Sequence, residues 1–185
     1  MKVTQTTLPG VLLIEPQVFG DSRGFFLETF SAKRYEEAGI RGPFVQDNMS
    51  RSAKGIVRGL HLQSPNAQGK LVWVVQGAVL DVALDVRVGS PTFGKWVAEE
   101  LSEDNKRQLW IPPGFAHGFA VTSESAVFAY KCTEYYAPKD EVGVLWNDPE
   151  LGIPWPVIEA VVSPKDRAHP RLKDVDQARL PRYVR

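Results

Sequence analysis

Arg58-Gly59-Leu60-His61-Leu62-Gln63, followed by Gly69-Lys70, sets a guanidinium, an imidazole and an amine within one short, apolar, strand-forming stretch. Three hydrogen-bonding or titratable groups of different type point to a site for an anionic ligand with a proton to lose. His61 is the natural base, because an unperturbed imidazole titrates near neutral pH and accepts a proton there. The bland alternative is a core histidine bonded to the backbone, and Arg58 and Lys70 close by favour the chemical one. Such a base works best when a carboxylate fixes its tautomer and stabilises the imidazolium. Asp166, in Ser163-Pro164-Lys165-Asp166, is the candidate, although sequence alone does not choose it over Asp81 or Asp85, which read as a solvated strand face. Tyr130 alternates with its neighbours in Phe128-Ala129-Tyr130-Lys131-Cys132 and can present a phenol as general acid; an amphipathic tyrosine filling the core is the competing explanation. Arg23 and Arg58 suit a diphosphate, because planar guanidinium groups bind phosphate oxygens in bidentate fashion. Neither the P-loop nor the dinucleotide glycine pattern occurs.

Ile111-Pro112-Pro113-Gly114-Phe115-Ala116-His117-Gly118-Phe119 has a Pro-x-Gly-x-x-His form in which a tight turn carries a histidine into the mouth of a small barrel. With a histidine on an earlier strand, it resembles the cupin jelly roll. The usual cupin metal site is incomplete, since Gln63 stands where a second histidine belongs and residues 64–68 hold no carboxylate. His61 and His117 are two ligands where a tight transition-metal site takes at least three, and His169, in a polar tail beside Pro170, is a poor third. No tight transition-metal site is expected from these ligands.

These groups need strands to hold them. Short β-prone runs separated by Gly, Pro, Asn and Ser recur along the chain, the pattern of an all-β sandwich or barrel. In Ala78–Val86, Leu80, Val82, Leu84 and Val86 alternate with Asp81, Ala83 and Asp85, predicting one buried and one polar face. Leu71–Val75 is apolar throughout, as a strand covered on both faces is, and Gln76-Gly77 is short enough for a hairpin turn between the two. Further strands are predicted at Val11–Ile14, Gly24–Glu28, Lys95–Leu101, Gln108–Ile111, Phe119–Thr122 and Ala126–Thr133. One short helix is predicted over Ala32–Ala38, capped by Ser31 and ended by Gly39. Asp148 to Pro156 has too many prolines for regular structure, and the charged tail after Asp166 is expected to fray.

At 185 residues and 43% hydrophobic content the chain supports one domain, residues 1–185, with one well-buried core. Lys plus Arg equal Asp plus Glu at 22 each, so no long-range field attracts nucleic acid or an anionic membrane, and any anion is bound locally. Cys132 is the only cysteine, and neither a signal peptide nor a membrane-spanning stretch is legible, so a cytoplasmic location is expected.

Phe19-Gly20-Asp21-Ser22-Arg23-Gly24-Phe25-Phe26-Leu27-Glu28, Gln46-Asp47-Asn48-Met49-Ser50, Val57-Arg58-Gly59-Leu60-His61, Gln68-Gly69-Lys70-Leu71-Val72, the Ile111–Phe119 segment, Tyr130-Lys131 and Trp146-Asn147-Asp148-Pro149 together resemble the dTDP-4-dehydrorhamnose 3,5-epimerase family along nearly the whole chain. The resemblance implies a dimeric cupin with short peripheral helices that epimerises C3 and C5 of dTDP-4-keto-6-deoxyglucose without metal or organic cofactor. By the same resemblance His61 is the base, Asp166 its partner, Tyr130 the acid on the opposite ring face and Lys70 the stabiliser of the enolate oxygen. Arg23, Glu28, Gln46, Asn48, Arg58, His117, Glu141 and Lys165 fall where the family contacts nucleotide, diphosphate or sugar, and Tyr136 where an aromatic ring stacks on thymine. Leu62 stands where many members have an aromatic residue, and Trp73 and Gln76 where they are often basic; all three are expected to shape the sugar end of the pocket. A single-centre epimerase or ketoisomerase on a related dTDP-keto-sugar, and a non-catalytic binding cupin, are the alternatives.

Overall fold

The alternating runs become the strands of two six-stranded sheets and a separate two-stranded ribbon in the computed structural model, which describes residues 1–184. Strands β1 (Lys2–Gln5) and β2 (Leu12–Glu15) pair near the N-terminus, and β3 (Val18–Asp21) and β4 (Gly24–Leu27) form the ribbon. Helix α1 (Ala32–Glu37) precedes β5 (Gln46–Ala53), β6 (Ile56–Gln63), β7 (Lys70–Gln76) and β8 (Ala78–Asp85). Then come β9 (Trp96–Ser102), β10 (Gln108–Ile111), β11 (Phe115–Val121), β12 (Ser125–Cys132), β13 (Glu141–Gly143), β14 (Val161–Val162) and the single turn of α2 (Pro164–Arg167). One sheet runs β1-β2-β10-β7-β12-β5 and the other β13-β6-β11-β8-β9, with β14 parallel to β6. This is the all-β class that the turn-rich sequence predicts, in the cupin-like jelly roll that the Ile111–Phe119 motif resembles.

Three apolar layers hold it. Between the sheets lie Val72 and Val74 of β7, Leu109 and Ile111 of β10 and Phe128 of β12, packed on Val79, Leu101, Phe119 and Val121 from the facing sheet. The Phe119 and Phe128 rings stack across the gap, 4.2 Å apart and 19° from parallel. The outer face of the first sheet is covered by α1, whose buried Tyr35 packs with Ile14, Leu71 and Trp110. Ser31 sits at the N-cap of that helix without bonding an amide, so its predicted cap is absent, and Gly39 at φ +87° ends the turn as expected.

The outer face of the second sheet is covered by the tail. Leu172, Val175 and Leu180 are buried against Leu60, Val82, Leu84 and Val86, so the predicted fraying does not occur. This cover also reverses the expected sidedness of β8. The row Val82, Leu84, Val86 faces outward and is sealed by the tail, while Val79, Asp81, Ala83 and Asp85 are buried on the other side. Asp81 and Asp85 are both fully buried, because each finds a cationic or hydrogen-bonding partner inside: His117 for Asp81, and Arg87, Ser90 and Thr92 for Asp85.

The predicted β7–β8 hairpin is also replaced. The two strands belong to different sheets, and Gly77 turns the corner between them at φ +80°, where a Cβ would collide with the Ser125 carbonyl oxygen. No helix among the described residues is long and apolar enough to cross a membrane.

Candidate active site

A cavity of about 560 Å³ opens between the sheets. From the second sheet β6 supplies Arg58 and His61, and β11 supplies His117; from the first sheet β7 supplies Lys70 and β12 supplies Tyr130. Asp166 enters from α2, and Tyr136, Glu141 and Lys165 complete the rim.

Strict alternation cannot bring Arg58 and His61 to one face, because they are three residues apart. The register against β11 slips between His117 and Phe119: His61 pairs with His117, yet Arg58 pairs with Phe119. The extra residue is accommodated at Gly59, which has φ +130° and lies so close to β11 that a Cβ would come within 2.5 Å of the Gly118 Cα. The same bulge aims the Gly59 amide at the Asp166 Oδ2, 3.3 Å away.

The His61 Nε2 stands 2.7 Å from the Asp166 Oδ1. An ionised carboxylate only accepts, so Nε2 carries the proton and Nδ1 keeps the free lone pair. Burial pushes the Asp166 carboxyl up, but the His61 hydrogen bond and charge, the Gly59 amide and the nearby His169 outweigh it and hold the carboxyl below its ordinary range. Ser163 caps α2 by accepting from the Asp166 amide at 3.1 Å, which fixes the backbone from which that carboxylate projects. A second pair lies deeper, with the His117 Nε2 2.8 Å from the Asp81 Oδ2 and the His117 ring stacked on Phe128 at 6.0 Å. The other Asp81 oxygen is buried without a hydrogen-bond partner among the described residues.

Lys70 reaches the cavity from the start of β7. Burial lowers its pKa below the ordinary amine range, against the opposing pull of Cys132, Asp81 and Glu141. Some of its surface stays accessible from the cavity it lines, although it is deeply set among protein atoms. Burial raises the Tyr130 phenol, so it keeps its proton well above neutral pH. At the rim Glu141 binds the Lys165 ammonium at 2.6 Å and accepts from the Tyr136 hydroxyl at 2.9 Å.

Four expected site residues are not in this cavity. Arg23 pairs with Asp21 on the exposed ribbon, and Glu28, just past β4, pairs with Arg34. The reason is topological, because the ribbon belongs to neither sheet. Gln46 and Asn48 lie on β5 in the same alternating row as Ser50, which does line the cavity; Gln46 reaches it indirectly by accepting from the Tyr136 amide at 2.9 Å. Leu62 lines the cavity, whereas Trp73 packs outward toward the α1 layer and Gln76 ends its strand far from the rim residues, so these two do not shape the pocket.

Sequence reasoning missed two residues. Asp81 was given to solvent because only the tail, remote in sequence, covers the other face of β8. His169, set aside as a tail residue, is brought by the turn after α2 into edge-on contact with His61, ring centroids 5.8 Å apart. No local signal marks either.

An imidazole paired with a carboxylate, a deeply set amine and a protonated phenol, held between the sheets of a jelly roll, make a cupin-type site equipped for acid–base chemistry. The chain belongs to the dTDP-4-dehydrorhamnose 3,5-epimerase family, whose model matches residues 5–174. It is 56% identical over 178 residues to the dTDP-4-dehydrorhamnose 3,5-epimerase of Pseudomonas aeruginosa, covering 95% of this chain and 98% of that one. The Legionella pneumophila dTDP-6-deoxy-D-glucose-3,5-epimerase, solved in complex with dTDP-4-keto-L-rhamnose, superposes with a TM-score of 0.97 at 55% identity, over 100% of this chain and 99% of that one. A 3'-monoepimerase from Streptomyces bikiniensis, solved with dTDP-quinovose, has a TM-score of 0.91 at 35% identity, over 96% and 92%.

Proposed function

We propose that this protein inverts C3 and C5 of dTDP-4-dehydro-6-deoxy-D-glucose, giving dTDP-4-dehydro-L-rhamnose. The observation that carries the reading is that His61 enters the cavity from one sheet while Tyr130 and Lys70 enter from the other. Inversion requires that a proton leave one face of a carbon and another arrive on the opposite face, so a base and an acid on facing walls are what the chemistry asks for.

His61 takes the proton from C3 or C5, and Asp166 stabilises the imidazolium that results. The electrons pass to the C4 carbonyl oxygen, and the Lys70 ammonium stabilises the enolate there, a kind of contribution worth about 10²–10³-fold. One cation serves both carbons because both lie next to that carbonyl. Tyr130 then delivers its proton from the far side. The rim groups Arg58, Tyr136, Glu141 and Lys165, with His117 below, bind the nucleotide, the diphosphate and the sugar. Solvent then takes the proton from His61 and returns one to Tyr130, which resets the pair for the second carbon, and the scheme calls on no metal or organic cofactor.

Arg23 and Glu28 belong to this reading only if a second copy delivers them. The ribbon that carries Arg23 exposes Phe19, Phe25 and Phe26 at 60%, 62% and 70%, an apolar surface suited to burial against another subunit. A homodimer is therefore part of the proposal. The double rather than single inversion is favoured by the 55–56% identity to 3,5-epimerases against 35% to a 3'-monoepimerase.

Incubation with dTDP-4-dehydro-6-deoxy-D-glucose in D₂O, with and without chelator, tests it. Deuterium at both C3 and C5, unaffected by chelator, is expected; label at one carbon alone means a single-centre epimerase, and none means a binding protein.

A further inference from the structure

One nitrogen or oxygen from each of His61, Glu141 and His169 lies within 4.8 Å of the others, beside the proposed base. Two imidazoles and a carboxylate are the donor set of many zinc sites with an open fourth position. The place is built for the second ring: a Cβ on Gly143 would collide with the His169 imidazole, and Gly143 has no positive φ that would call for glycine on its own account. The His169 Nε2 is buried and has no hydrogen-bond partner among the described residues. Asp166 is close to both histidines, 2.7 Å from the His61 Nε2 and 3.6 Å from the His169 Nε2. A carboxylate bonded to a histidine in this way is the usual outer partner of a metal-binding imidazole.

We propose that His61, Glu141 and His169 form an inhibitory site for Zn²⁺ or a similar transition-metal cation, which caps the base of the epimerase and stops proton abstraction. The inhibitory role rests on the function proposed above; the binding site does not. Zinc takes nitrogen and oxygen ligands at about 2.0–2.2 Å, which puts tetrahedral ligands about 3.3 Å apart, so atoms that lie within 4.8 Å of one another close by no more than roughly 1.5 Å to reach it. Two contacts of Glu141 must give way or turn, those with the Lys165 ammonium and the Tyr136 hydroxyl. The Lys165 and Tyr136 ends of these contacts are exposed, at 59% and 54%, and can swing away, while the 12% exposed Glu141 carboxylate stays in place. Bound zinc takes up the imidazole lone pair that the reaction needs, so metal and catalysis exclude each other.

The test measures zinc binding by competition with a chromophoric indicator and, separately, deuterium exchange into substrate in zinc-buffered solution, each variant being compared with its own rate in EDTA. One zinc per chain and inhibition reversed by EDTA are expected of the natural protein. His169→Ala should weaken both by about 100-fold, since losing a direct ligand costs at least as much as losing an outer-shell partner. His169→Gln, which keeps more of the ring's volume, carries the same expectation should the alanine variant not fold. Absence of zinc binding, or binding and inhibition that both variants leave unchanged, overturns the proposal. If zinc binds through His169 but the EDTA-treated protein shows no exchange, the metal site stands and the epimerase reading falls.

Discussion

His61 has two ring nitrogens, and Asp166 occupies one of them. That single contact decides which nitrogen is basic and explains why a carboxylate over a hundred residues away in sequence matters to it. His61→Ala should abolish deuterium uptake at both C3 and C5 while leaving dTDP affinity nearly intact, as read by exchange and by calorimetry; label persisting at either carbon means that another base acts. Tyr130→Phe should slow proton delivery more than proton removal, so that substrate exchanges label faster than product forms. Lys70 adds a pH signature. Its lowered pKa means the ammonium loses its proton at a lower pH than an ordinary lysine, so kcat should fall on the alkaline side earlier than an exposed lysine would make it. Lys70→Arg keeps its charge across the accessible range and should remove that limb from the pH profile, even where its geometry lowers the plateau.

At the scale of elements, the site depends on one irregularity and one cover. The irregularity is the bulge of β6 against β11, which turns Arg58 and His61 to the same wall. The Gly118 Cβ position lies 2.7 Å from the Arg58 carbonyl oxygen, so Gly118→Ala should push β6 away, lower kcat at both carbons and displace His61 in a crystal structure of the variant. The cover is the tail on the second sheet. Leu180 is buried there at 4% exposure, and Leu180→Ala should destabilise the fold by about 2–5 kcal/mol in urea unfolding, with exchange kinetics at low temperature little changed. An unaltered unfolding midpoint would mean that the tail does not seal that sheet in solution.

For the molecule as a whole, the balanced charge leaves substrate capture to local groups rather than to a long-range field. The exposed ribbon is the least satisfied surface, three phenylalanines in eight residues. Light scattering should return the mass of a dimer, and Phe26→Asp should shift it toward monomer. If Arg23 and Glu28 serve the neighbouring cavity, that variant should also raise KM for the nucleotide sugar while leaving the chain folded. A monomer with full activity would instead confine the site to a single chain.

The residues able to do acid–base chemistry, the all-β class and most strand positions were legible along the chain, because residue type and period-2 alternation are local properties. Gln108–Ile111 matches β10 end for end, and the Asp148–Pro156 stretch is irregular as its prolines require. What the chain could not tell was which face of a strand is the inside, since that depends on what covers the other face. The tail sealed Val82 and Leu84 and so turned Asp81 inward toward His117. Residue types and spacing left Asp166 and Asp81 level as partners of His61, apart from the family resemblance; the fold put Asp166 there, placed His169 beside them, and left Arg23 on a ribbon outside the cavity. Sequence fixes which groups are present and how each strand alternates; distance between remote segments follows from packing, and chemistry depends on that distance.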